Sequence, residues 1–320
     1  MEPRRLVKAG ASSHTIALPK AWLDRHKLGK GDTVYVDERN ETLVITPALV
    51  PLRAATSAIT ISVDGKELAT LQREVTAAYL NNYGTITLQG KGVAALAREL
   101  RQLLHGFVAI EITEQTGTRL VAKDFLNLAE VDIDATLRRM DMMVRSMLED
   151  GIGEEVIENA HLRDEDINRL FFLLYRVLRR TLDDPLLRER LKLGRGKLLS
   201  TWAMIHYLEQ LGDASTRILH LLPAIKGKQR ELALELARDV QTYYLDVIKA
   251  YHTHDASLAN KAATERAIIA ERHAQLLKAN AVPESVELAL QLSSMTSLVA
   301  DIARVVIDEN PSDGTSVADR

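Results

Sequence analysis

"SSHTIALPKAWLDRHKLGKGDTVYV" (Ser12–Val36) packs a strand, a break, a helical turn and a second strand into one short run. Ile16 and Leu18 alternate onto one face, as a strand requires. Pro19 ends that strand and suits the first turn of the helix "KAWLDRHKL". Gly31 permits the tight turn that leads into the alternation of Val34 and Val36. Upstream, "RRLVKAG" is strand-like. Downstream, "ETLVITP" is a further strand, with "ERNE" marking a hairpin turn around Asn40. Four short strands and one helical turn in fewer than 50 residues make a core near the lower limit of independent stability. Such a unit is expected to need a partner chain to complete it.

Charge sets this segment apart. Residues 1–30 hold seven basic side chains (Arg4, Arg5, Lys8, Lys20, Arg25, Lys27, Lys30) against Glu2 and Asp24, a net of +5. The whole chain of 320 residues carries −3, so the remainder is acidic at −8. A basic head on an acidic body is the asymmetry of a nucleic-acid-binding module joined to another function. The chain is 46% hydrophobic with only 4% aromatic residues, so its cores must be aliphatic. It has no cysteine, which excludes disulfides, thiolate zinc sites and cysteine nucleophiles. No uninterrupted apolar run reaches the roughly 18 residues of a spanning helix. "MEPRRLVKAG" lacks the apolar core of a signal peptide. A cytoplasmic protein without membrane insertion is the expectation.

Two further textures follow. Residues 54–128 alternate strand and helix: "AITISV", then "GKELATLQREVTAAYLNNY", "GTITLQ", "GVAALARELRQLL", and an antiparallel pair "FVAIEI" and "TRLVA". This order predicts a central α+β layer. From about Glu130 the chain reads as all helix. Ile133, Leu137, Met140, Val144 and Met147 are spaced 4, 3, 4, 3, the seam of a helical bundle. Helices are predicted near 131–150, 153–183, 195–222, 228–253, 256–280 and 284–308, with Pro283 placed for the first turn of the last. The tail 311–320 is polar. The six helices divide into two sets of three, at 129–226 and 227–310, in which Asp213 and Asp301 occupy like positions.

The order strand, Pro19-Lys20, Trp22, Leu28, Gly31-Asp32, Val34, Val36 resembles the SpoVT–AbrB swapped-hairpin domain over residues 1–48. The resemblance implies that two chains interleave hairpins into one barrel and bind DNA through basic residues on one side. Arg4, Arg5, Lys8, Ser12, Ser13, His14 and Lys20 are the candidate contacts. The helical part resembles the PhoU family of phosphate-uptake regulators, best in "RDEDINRLFFLLYRVL" (Arg163–Leu178) and "YLEQLGDAS" (Tyr207–Ser215). That resemblance implies tandem three-helix bundles. The combination is similar to proteins, mostly archaeal, that place an AbrB-like domain before PhoU repeats.

PhoU bundles hold multinuclear metal clusters on acids at i, i+4, a spacing that puts two carboxylates on one helix face. Glu209 and Asp213 keep that pair, and Asp164 with Asn168 is its counterpart on the preceding helix. Asn168 stands where an acid is common. In the second set Asp301 remains, but Ser297 stands where Glu is expected. Divalent or ferric ions are therefore the expected cofactor of the first set, and Asp301 a remnant. The same acids also read as a solvated stripe paired with Arg163, Arg169 and Arg217.

"HTHD" (His252–Asp255) reads as a solvated turn, because residues i and i+2 do not share a helix face. "GKGVAALA" (Gly90–Ala97) follows a strand and opens a helix, as an anion site would, yet lacks the phosphate-loop pattern and reads as a tight turn. No catalytic constellation is present, so the chain is not expected to be an enzyme. The composite expectation is a multidomain, homodimeric DNA-binding regulator of phosphate uptake. The alternatives are an adaptor that docks on a phosphate transporter ATPase or a sensor kinase, and a protein that acts through metal on its bundle carboxylates.

Overall fold

The computed structural model describes residues 3–10, 13–39, 42–47, 57–153, 160–278 and 282–310. The chain is mostly helical, with small sheets near the N-terminus and one central sheet. It divides into two compact units, Met1–Arg53 and Ala54–Arg320.

The first unit contains β1 (Val7–Lys8), β2 (His14–Thr15), α1 (Lys20–Arg25), β3 (Tyr35–Arg39) and β4 (Thr42–Thr46). β1 pairs antiparallel with β2, and β3 with β4. Pro19 precedes the first turn of α1, Lys27 takes a left-handed turn at its end, and the Asp32 carboxylate accepts from the Gly29 N–H at 2.7 Å. Among the described residues of this unit no side chain is fully buried. Leu6, Val7, Ile16, Val36 and Leu43 are all exposed, Leu6 at 68%. The local turn chemistry is in place, and among the described residues Leu18, Trp22, Leu23, Leu28, Val34, Val44 and Ile45 are only half-buried.

The second unit opens with β5 (Ala58–Ser62), α2 (Leu68–Leu80), β6 (Thr85–Gln89), a 3₁₀ turn at Lys91–Val93, α3 (Ala97–His105), β7 (Ile110–Gln115) and β8 (Arg119–Asp124). The sheet order is β5-β6-β8-β7, with β5 parallel to β6 and β8 antiparallel to both its neighbours. Leu71, Val75 and Tyr79 of α2 and Leu100 and Leu104 of α3 share one core with Ile86, Leu88 and Leu120 of the central strands. Three consecutive residues are buried in β6 and again in β8, the pattern of strands covered on both faces.

Among the described residues eight helices follow: α4 (Ile133–Gly153), α5 (Ala160–Asp183), α6 (Pro185–Arg190), α7 (Arg195–Leu221), α8 (Gly227–Thr253), α9 (Ala256–Ala263), α10 (Arg266–Lys278) and α11 (Pro283–Glu309). α4, α5 and α7 pack on one another, and so do α8, α10 and α11. α7 against α11 joins the two groups, and one continuous aliphatic core runs through both. The seam Ile133, Leu137, Met140, Val144, Met147 is buried as its spacing predicts. In α11, Leu288, Leu292, Met295, Val299, Ile302 and Val306 repeat that spacing. α11 is long and apolar enough to cross a membrane by composition, yet 44% of its most apolar window is buried, and it packs on α7, α8, α9 and α10.

Two expectations need correction. The helix predicted over 256–280 is two helices, because Thr264 and Glu265 turn tightly back to the Lys261 and Ala262 carbonyls, and the Thr264 hydroxyl donates to Lys261 O at 2.7 Å. The helix predicted from Gly92 begins only at Ala97, after the 3₁₀ turn.

The sheet layer is locked to α5 by a buried charge. Arg176 of α5 is 1% exposed; its Nε donates to Asn82 Oδ1 at 3.0 Å, and its guanidinium pairs with Asp124 and lies 4.2 Å from the centre of the Tyr79 ring. Asn82 donates back to the Arg176 carbonyl at 3.3 Å.

Candidate functional site

In the first unit, β1 and β2 set Lys8 directly opposite His14, and Val7 opposite Thr15. Ser13 donates to the Ala9 carbonyl at 3.3 Å, and Thr15 to the Val7 carbonyl at 3.3 Å, which close the hairpin. Lys20 is the first residue of α1. Arg4, Arg5, Lys8, Ser13, His14 and Lys20 are all exposed. Ser12 lies outside the described residues. Among those described, Arg5, Lys8 and Lys20 have no ion-pair partner, so their charge is available to an external anion. The sequence pointed to these residues through charge and the swapped-hairpin resemblance, and the hairpin adds the Lys8–His14 pairing.

In the second unit, α5 and α7 approach closely at Gly212. A Cβ there would sit 2.9 Å from Ile167 Cδ1. This contact draws Asp164 of α5 onto α7, where the Thr216 hydroxyl donates to it at 3.4 Å. Asp164, Glu209 and Asp213 come within electrostatic range of one another. Burial, then the Asp213 charge, pushes the Asp164 carboxyl up; burial, then Asp213 and Asp164, pushes Glu209 up. Arg217 approaches Asp213 only at 3.8 Å. Asn168 makes no described contact with the three acids. Among the described residues no three His, Asp or Glu side chains gather closely enough to grip a metal ion. The trio is thus a cluster of mutual repulsion. Asp301 stands apart from it, paired with Arg304 at 2.6 Å. Of the expected arginine partners, Arg163 pairs instead with Asp150, and Arg169 lies 3.5 Å from Asp166.

The reading of "HTHD" as a solvated turn fits Thr253–Asp255, which are exposed at the junction of α8 and α9, and needs correction at His252. His252 lies inside α8 and is half-buried, and its Nε2 is 3.3 Å from Asp141 Oδ2. His254 is the left-handed residue that ends α8, and Asp255 caps α9, accepting from Leu258 N–H at 2.9 Å. Only His252 joins a polar cluster. Asp141, 3% exposed, also accepts from the Tyr244 hydroxyl at 2.6 Å and from Arg145 Nε at 2.8 Å. Burial opposes its ionisation, but the bonds from His252, Arg145 and Tyr244 outweigh that and hold its carboxyl below the usual range. Sequence reasoning missed this cluster. Its one signal was an aspartate one position beyond Met140 in an apolar seam.

At Gly90–Ala97 the tight-turn reading fits the geometry. The Gly92 N–H donates to Asp64 Oδ1 at 2.9 Å, so the chain's own carboxylate takes the place an anion would occupy. Gly90, at φ 147°, is pressed against that carboxylate, and a Cβ there would lie 2.6 Å from Asp64 Oδ1. Compared with known protein families, curated proteins and solved structures, the chain matches none.

Proposed function

We propose that this protein is a DNA-binding transcriptional regulator of phosphate uptake that acts as a homodimer. The observation that carries the reading is the first unit. Its basic side chains are exposed and so are Leu6, Val7, Ile16, Tyr35, Val36 and Leu43, with no fully buried residue among those described. Burying Leu6, Val7, Ile16, Val36 and Leu43 needs a second surface, and a second copy of the same unit supplies one with matching strand edges. That is the swapped-hairpin barrel the sequence resembles, and it presents Arg5, Lys8 and Lys20 twice to a two-fold DNA site. In the helical part, the groups α4, α5, α7 and α8, α10, α11 are read as tandem PhoU-like bundles. The test is a gel-shift titration of the full chain at low salt on DNA upstream of its own gene and its neighbours. Saturable binding with sequence preference supports the proposal, and absence of affinity for any DNA overturns it.

A second reading has its own observation. Leu199 and Trp202, one turn apart on α7, are exposed at 69% and 46%. Such a face suits an adaptor that docks on a phosphate transporter ATPase or a sensor kinase, with the first unit serving only to dimerise.

A further inference from the structure

One face of α7 carries Arg195, Leu199, Trp202, His206, Glu209 and Asp213, spaced 4, 3, 4, 3, 4 and so aligned on one side of the helix. α5 packs antiparallel beside it: Asp164 meets Thr216, Ile167 meets Gly212 and Phe171 meets His206. On α5, Asp164, Phe171, Tyr175, Arg179 and Leu182 share the adjoining face, spaced 7, 4, 4, 3.

Along the two helices this face changes character in three steps. At one end stand the acids Asp164, Glu209 and Asp213. The middle is aromatic, with the His206 ring 4.9 Å from Phe171, 6.1 Å from Tyr175 and 4.6 Å from Trp202. At the other end are Leu182, Leu199, Arg179 and Arg195. Trp202, Leu182 and Leu199 are 46%, 61% and 69% exposed. Both arginines are exposed, and neither has an ion-pair partner among the described residues. Aromatic anchors with arginine mark the centres of protein interfaces, and here they gather in a chain with only 4% aromatic residues.

The spacing makes the face complementary to itself. On α7, Trp202 and His206 lie two residues to either side of Met204, and Arg195 and Asp213 lie nine. On α5, Phe171 and Tyr175 lie two residues to either side of Leu173, and Asp164 and Leu182 lie nine. The contact of Phe171 with His206 puts these two midpoints level. A two-fold axis across both helices at that level sets Trp202 against the partner's His206, Phe171 against the partner's Tyr175, and Arg195 against the partner's Asp213. Arg179 comes within one turn of the partner's Asp164. The parallel alternative sets acid on acid and base on base, so charge selects the antiparallel one. It also brings bases to the acidic trio, whose repulsion Arg217 meets only at Asp213, from 3.8 Å.

We propose that this face of α5 and α7 is an isologous contact between two copies of the chain, antiparallel about a two-fold axis at the level of Leu173 and Met204. It lies in the second unit and rests neither on DNA binding nor on pairing of the first units.

The chain has no cysteine, so two single-cysteine variants of the full chain, Arg195→Cys and Asp213→Cys, read the register. Co-expressed and treated with a short bis-maleimide, they should give a cross-linked species of twice the chain mass on denaturing electrophoresis. Its yield should exceed that of either variant alone severalfold, because two copies of the same cysteine stand about 27 Å apart along the helices. Pairing of the first units by itself favours no such combination, so this contact and the DNA-binding dimer fail separately. Trp202→Asp added to both variants should abolish the product, with circular dichroism showing the fold intact. Leu199→Asp serves in its place if that variant unfolds. A mixed yield no higher than the single variants overturns the proposal and leaves the face to a different protein. So does a yield that survives the aspartate substitution in the folded chain.

Discussion

Arg176 and Asp124, 52 residues apart in sequence, form an ion pair whose two side chains are 1% and 3% exposed. It lies where α5 meets the central sheet, and Asn82 and Tyr79 complete its surroundings. Removing one partner leaves the other charge buried and unpaired, at a cost of about 3–5 kcal/mol. Arg176→Met should therefore lower the urea midpoint sharply, as should Asp124→Leu. The double variant should lose much less than the two losses combined, because neither charge is then stranded. Strict additivity in the double-mutant cycle would show that the pair is not coupled.

The acidic trio on α5 and α7 predicts an unusual pH response. Asp164 and Glu209 titrate above the usual carboxylate range when folded. The native state then holds more protons than the unfolded chain just above that range. This contribution to stability therefore falls as pH rises through the window. Glu209→Gln should flatten that fall and, at neutral pH, stabilise by roughly 0.2–0.5 kcal/mol through loss of an i, i+4 repulsion. Urea midpoints across a pH series give the answer, and a destabilised Glu209→Gln would refute the repulsion.

If a divalent or ferric ion relieves the same repulsion, protein purified in metal-supplemented buffer should retain it by elemental analysis. Glu209→Ala combined with Asp213→Ala should lose it. Equal metal content in wild type and double variant would remove the site from consideration.

The Asp141 cluster runs the other way. Its carboxyl is held below the usual range, so its stabilisation is present above the unfolded value and disappears as pH drops through the lower folded one. Tyr244→Phe removes a hydrogen bond to a charged group and should cost about 1.5–3 kcal/mol at neutral pH. The cost should shrink in strong acid, where Asp141 is protonated. A penalty that does not change with pH would mean that packing of the Tyr244 ring, not its hydroxyl, carries the effect.

For the first unit, sedimentation of the full chain should give about twice the 35.6 kDa chain mass. Lys20→Ala should reduce the slope of log affinity against log salt by about one to two units per dimer while keeping sequence preference, since a phosphate contact is lost. Arg5→Ala should relax preference too, because a guanidinium on a base edge contributes roughly 1–3 kcal/mol of discrimination. A monomer at micromolar concentration would overturn the assembly, and an unchanged salt slope would remove Lys20 from the interface.

What the sequence by itself determined is local and periodic. The 4, 3, 4, 3 seam of α4 and Pro283 at the start of α11 were legible because helix periodicity and proline geometry are properties of neighbouring residues. So was the β-α-β-α-β-β order of the central layer. The lysine and arginine excess before residue 31 was legible for the same reason. Partnership across the chain was decided only by tertiary structure. Nothing near Asp141 announces Tyr244 or His252, 103 and 111 residues away. Nothing near Arg176 announces Asp124. Asp164 meets Asp213 and Glu209 because Gly212 lets α7 close on Ile167. A buried charge takes its energy from whatever surrounds it, and those surroundings are set by packing rather than by position along the chain.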